Sequence, residues 1–198
     1  MSIDPALCIA GAIGVVGLSA AGSAIGIGKA ACATIGAWKK CYAQGKPAPY
    51  TLFTFVGAPL TQTLYGMILM TMLLSVAKNP IPGAGFAAVI LALTAGAGIC
   101  ASAAFQGQAA AAASDAQAET GKGLTNYLAA IGVIETVAIF VMVFAILCIL
   151  PLSAPEAVEA AAEAAAPAVE AAAEAAAPAV EAAAEAVETA AGAAAAAL

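Results

Sequence analysis

The feature that most constrains this chain is a set of four long apolar runs, Ala6–Trp38, Leu52–Val76, Phe86–Ala113 and Leu124–Leu150. Each exceeds the roughly 20 residues that a helix needs to cross a hydrocarbon core of about 30 Å. In lipid only helices and closed barrels satisfy every backbone polar group from within. Runs of this length without strict alternation are helices. The expected fold class is therefore an all-α membrane protein with four transmembrane helices. Composition agrees: 64% of the residues are hydrophobic and 9% charged, where a soluble domain has about 45–50% and about 25%. So few charges cannot cover this much apolar surface in water.

The connections between the runs differ in kind. The first, Lys39–Pro47, is polar and holds three lysines, and the third, around Asp115–Lys122, is polar as well. The second, Lys78–Gly83, is a short turn with two prolines. The positive-inside rule puts the first and third connections in the cytoplasm, so both termini are expected on the other side. The start, Met1–Pro5, lacks the positive region of a signal peptide, and the first run is expected to stay in the protein as a helix.

Small residues crowd the first and third runs. Gly11, Gly14, Gly17, Gly22, Gly26 and Gly28 punctuate one; Gly96, Gly98, Ala101, Ala103, Ala104 and Gly107 punctuate the other. The second and fourth runs are bulkier, with Leu, Met, Ile and Phe. The chain thus reads as two tandem hairpins, 1–78 and 79–151, each a small-residue helix followed by a bulky one. Dense small residues let helix backbones approach closely in a bilayer, which favours packing of many copies into a homo-oligomeric ring over a solitary four-helix bundle.

Beyond these hairpins, 152–198 is an Ala/Glu/Pro tail. Val158, Val169 and Val180 recur every eleven residues, as do Glu159, Glu170 and Glu181. Eleven residues are about three helical turns, yet Pro167 and Pro178 interrupt a long helix, so short Ala-rich helices or a low-complexity segment are expected. The tail also explains the net charge of −6: eight of the twelve acids stand at or after Glu156, which leaves four against six lysines before it. Its glutamates argue against a fifth span. Without basic clusters the chain offers nothing to nucleic acid. The five cysteines form no CxxC pair, so disulfide or metal roles have no spacing to support them and small packed thiols are the ordinary reading.

Chemistry concentrates around one acid. Glu135 lies within Ile131-Gly132-Val133-Ile134-Glu135-Thr136-Val137, deep in the fourth run. A carboxylate at that depth is expensive and marks function by default: it binds a cation or takes up a proton. The bland alternative, a quiet pair with a buried donor, has only Lys29 as a basic partner at similar depth. The second run carries Thr61, Gln62 and Tyr65 on one side of its helix. Pro59 removes a backbone hydrogen bond just before them, and carbonyls freed at such a break can coordinate an ion. The third run adds Gln106. These are all oxygen donors, suited to a hard cation and poorly suited to soft metals. Tyr65 is better placed as a donor that holds the carboxylate.

These residues carry a resemblance. Thr61-Gln62-Thr63-Leu64-Tyr65-Gly66, Phe105-Gln106-Gly107 and Ile134-Glu135-Thr136 resemble motifs of the proteolipid (K, or c) subunit of V-type and archaeal-type rotary ATPases, over roughly residues 6–150. The resemblance implies an ion-translocating rotor subunit in the plasma membrane of a prokaryote. Its partners would be a ring of identical copies, a stator (a/I) subunit, central-stalk subunits and the lipid bilayer. It assigns Glu135, Gln62, Gln106 and Thr61 as Na+ ligands, with a backbone oxygen near Ala58 and Tyr65 bonded to the carboxylate. It also implies that Gln62 holds in the first hairpin the place of Glu135 in the second. No organic cofactor and no nucleotide site are expected, because the chain has no P-loop and is not itself an enzyme. A proton-only rotor needs just the buried glutamate, without two glutamines and a threonine. A tetraspan transporter or scaffold outside any rotary complex is the alternative of a different class.

Overall fold

A computed structural model describes residues 2–153 together with Ala166 and Glu170. Apart from those two and from Leu152 and Ser153, the expectations for the tail 152–198 fall outside the described residues. Helix α1 runs Asp4–Ala43. A 3-10 turn at Tyr50–Leu52 leads into the short α2, Phe53–Gly57, and a second at Ala58–Leu60 leads into α3, Thr61–Val76. Helix α4 covers Ala84–Thr120 and α5 covers Leu124–Ile149, closed by a 3-10 turn at Leu150–Leu152. The described part is all-helical. It contains four stretches long and apolar enough to cross a membrane: Asp4–Ala43, Tyr50–Val76, Ala84–Thr120 and Leu124–Leu152.

Two helices outrun their apolar cores. Helix α1, with 40 residues, is about 60 Å long and α4, with 37, about 55 Å, at about 1.5 Å per residue. The polar connection expected around Asp115–Lys122 is therefore mostly helix. Loss of hydropathy marks where a helix leaves the hydrocarbon, and that is not where its backbone stops. Asp115 and Glu119 are four apart on one face of α4, and Lys40 of α1 reaches both, at 2.8 and 3.2 Å. The actual stop comes at Gly121, whose left-handed backbone (φ 67°) lets its N–H bond back to the carbonyl of Gln117.

Pro59 breaks the second stretch as its chemistry requires, and the backbone passes from α2 to α3 through a tighter turn. At the other end Gly83 (φ 85°) opens α4. There the Asp4 carboxylate accepts the Gly85 N–H at 3.0 Å, a favourable place for negative charge at a helix N-terminus.

The central seam joins α1 to α4, which run parallel. Helix α3 packs on α1, α5 packs on α4, and α3 touches α5. Glycine makes the seam close. A Cβ on Gly11 would lie 2.8 Å from the Ala88 carbonyl oxygen, and one on Gly22 would lie 2.5 Å from the Cys100 Cα. At the narrowest point Gly26 and Gly107 meet backbone to backbone. Two apolar clusters fill the interior. One is built on Val15, Tyr65, Ile68, Leu69, Leu73 and Ile99; the other on Leu52, Phe55, Ala110 and Ile131. Large apolar side chains such as Phe86, Phe140 and Phe144 face outward, as a lipid-facing surface allows. The cysteines divide: Cys8 and Cys41 are buried, Cys100 is half-buried, and Cys32 and Cys148 are exposed.

Candidate ion site

Between the two apolar clusters lies a polar layer to which three of the long stretches contribute. Helix α3 brings Thr61, Gln62 and Tyr65, α4 brings Gln106, and α5 brings Glu135. Gln62, Tyr65 and Gln106 are fully buried, Glu135 is 5% exposed and Thr61 8%. The order of the chain explains the level. Gln62 and Tyr65 follow the Pro59 break by three and six residues, Gln106 adjoins Gly107 at the tightest point of the seam, and Glu135 lies eleven residues into α5.

The hydrogen bonds form one continuous relay. Tyr65 donates its hydroxyl to Glu135 Oε1 at 2.8 Å, and Gln106 Nε2 donates to Glu135 Oε2 at 3.2 Å. The same Gln106 nitrogen lies 3.4 Å from the carbonyl of Ile131, one turn before Glu135. Gln62 Nε2 donates to Gln106 Oε1 at 2.6 Å. The Thr61 hydroxyl is shared between Gln62 Oε1 and the carbonyl of Ala58, each at 3.3 Å. All six groups named from the sequence, the Ala58 carbonyl included, thus belong to one network.

Its electrostatics are unbalanced. Both oxygens of Glu135 are held by neutral donors. Among the described residues, which include every lysine, the ion pairs are those of Lys40 at the far end of α1. Lys29 is exposed on α1 and pairs with no carboxylate there. A buried carboxylate with no cationic side chain beside it is costly unless it takes a proton or a cation. The oxygens gathered here fit a small hard cation: a carboxylate, two amide oxygens, a hydroxyl and a backbone carbonyl, with one negative charge among them.

Two further hydroxyls escaped the sequence reading. Ser102, one turn before Gln106, donates to the carbonyl of Ile134 at 2.9 Å and so ties α4 to α5 beside Glu135. Its spacing from Gln106 was a usable signal, since residues four apart share a helix face. Ser23 of α1 is buried nearby, and nothing in the motifs points to it.

Comparison with protein-family models, with curated proteins and with solved structures finds no match to this chain.

Proposed function

We propose that this chain is the ion-carrying rotor subunit of a rotary ATPase of the V/A type, and that each copy carries one Na+ on Glu135. The observation behind this reading is the buried carboxylate held by Tyr65 and Gln106 with no cationic side chain to balance it. Proton carriage alone would need only the glutamate. The additional oxygens of Gln62, Thr61 and Ala58 favour a metal cation over a bare proton.

In this reading the two glutamines part to admit the ion, because Gln62 Nε2 now occupies the oxygen of Gln106 that would face it. Gln106 keeps its nitrogen on Glu135 and Tyr65 keeps its hydroxyl there, so the carboxylate stays oriented while its charge is neutralised. A loaded site can then pass the lipid-facing part of a ring of identical copies. A bare carboxylate in mid-membrane costs at least about 2.5 kcal/mol on insertion scales, which confines empty sites to the polar interface with a stator. A stator cation would release the ion by offering Glu135 a charge-assisted bond. ATP chemistry belongs to other subunits.

Carbodiimide labelling tests the reading, because the reagent attacks a protonated carboxyl. In the purified protein in mild detergent, Glu135 labels, and Na+ suppresses the labelling at fixed pH. Labelling indifferent to Na+ but sensitive to pH would make the site a proton carrier. Absence of labelling would return Glu135 to a structural role.

A further inference from the structure

Ser23 is 2% exposed, and its Oγ takes no hydrogen-bond partner from the described residues. Other helical hydroxyls behave otherwise. Ser19, Thr94, Ser114 and Thr120 each donate to the carbonyl four residues back in their own helix. That bond is open to any helical serine. A buried hydroxyl left without it carries its desolvation uncompensated, so the position of Ser23 calls for a reason.

Its surroundings provide one. Helices α1 and α3 run antiparallel in close contact. A Cβ on Gly66 would lie 2.5 Å from the Ser19 Cβ, and one on Gly26 would lie 2.8 Å from the Pro59 Cβ. Ser23 follows Ser19 by four residues and Gln62 precedes Gly66 by four, so Ser23 stands level with Gln62. On the α4 side, Gly22 meets Cys100 and Gly26 meets Ala103, which brings Ser23 level with Ala101 and Ser102, about one turn before Gln106. The hydroxyl is thus enclosed at the height of Gln62 and one turn before Gln106, whose side chain tilts back toward the helix N-terminus, from the one long helix that contributes nothing to the network described above.

Gln62 has a need that this hydroxyl can meet. Its Nε2 donates to Gln106 Oε1, and that acceptor is lost once a cation draws the oxygens of both glutamines. A buried amide nitrogen then requires another acceptor. We propose that Ser23 is a positioning residue for the cation site: its Oγ accepts Gln62 Nε2 in the loaded state, while Gln62 Oε1 and Gln106 Oε1 face the ion. The proton of Ser23 is then free for the carbonyl of Ser19, the kind of bond that Ser19 makes to Val15 at 2.8 Å. The inference rests on the cation reading above.

The experiment is a Na+ titration of carbodiimide labelling at Glu135 in the intact, detergent-purified protein, comparing wild type, S23A and S19A. In S23A the Na+ concentration for half-protection rises about three- to tenfold, the effect of one lost hydrogen bond. The Na+-free labelling rate stays at the wild-type value, which a general loosening of the helices would raise. S19A keeps the wild-type midpoint, since Ser19 bonds within its own helix, and S23C falls between wild type and S23A. If wild type is protected by Na+ and S23A matches it, this inference is overturned alone. If S23A and S19A shift together, Ser23 serves helix packing and the inference also fails. If wild type shows no protection, the cation reading falls and takes this inference with it.

Discussion

Two of the places where this fold holds carboxylates make an instructive contrast. Asp115 and Glu119 share Lys40 at the polar end of α1 and α4, with side chains more than half exposed, 55% and 62%. Glu135 is 5% exposed and holds only a tyrosine hydroxyl and an amide. At the exposed end water has already solvated the charges, so a formal ion pair adds little and loses little when broken. At the buried end no ion pair exists among the described residues, and in the proposed reading a mobile charge completes the arrangement. The pair that resembles a strong interaction is dispensable, and the carboxylate without a charged partner is the one the account depends on.

Substitutions can break or sharpen that contrast. The largest effect is expected from Glu135→Gln. The amide keeps the shape, removes the charge, and should abolish both carbodiimide labelling and Na+-dependent thermal stabilisation, read by labelling mass and by melting in detergent with and without Na+. Next comes Gln106→Leu, which deletes a donor to the carboxylate and an oxygen facing the ion. It leaves Glu135 Oε2 short of a donor and the cation short of an oxygen, so Na+ affinity should fall about a hundredfold, since losses at a buried charged group run to about 1.5–3 kcal/mol each. Tyr65→Phe removes one donor to Glu135 Oε1 and leaves the packing, so a loss of about tenfold is expected in the same titration. Lys40→Ala should be smallest: the Na+ midpoint stays within about twofold of wild type, because its ion pairs are exposed and far along α1 from the site. A Lys40→Ala effect equal to that of Tyr65→Phe would erase the distinction between the two places.

Parts of this picture were legible in the residues and parts were not, for a physical reason. Hydropathy reports depth. It located the four apolar stretches, and it exposed Glu135 as a charge where charge is expensive. The Pro59 break was legible because proline lacks a donor wherever it stands. Lateral neighbours are a different matter. The glycines of α1 announced a close approach, yet only the fold shows that Gly26 meets Gly107 and that α4 is the partner along the whole seam. Helix ends outside the hydrocarbon were equally hidden. Asp115 and Glu119 read as loop because they are polar, although four-residue spacing also suits one helical face turned toward Lys40. Ser102 and Ser23 sit among alanines and glycines, where a serine is small enough to pass for packing, and their meaning comes from what lies opposite.

The most direct test of the central claim is equilibrium binding of radiolabelled Na+ to the purified protein, counted per chain. The account predicts one saturable site per chain and no saturable binding in Glu135→Gln. Saturable binding that survives in Glu135→Gln, or none in the wild type at any pH, would contradict it.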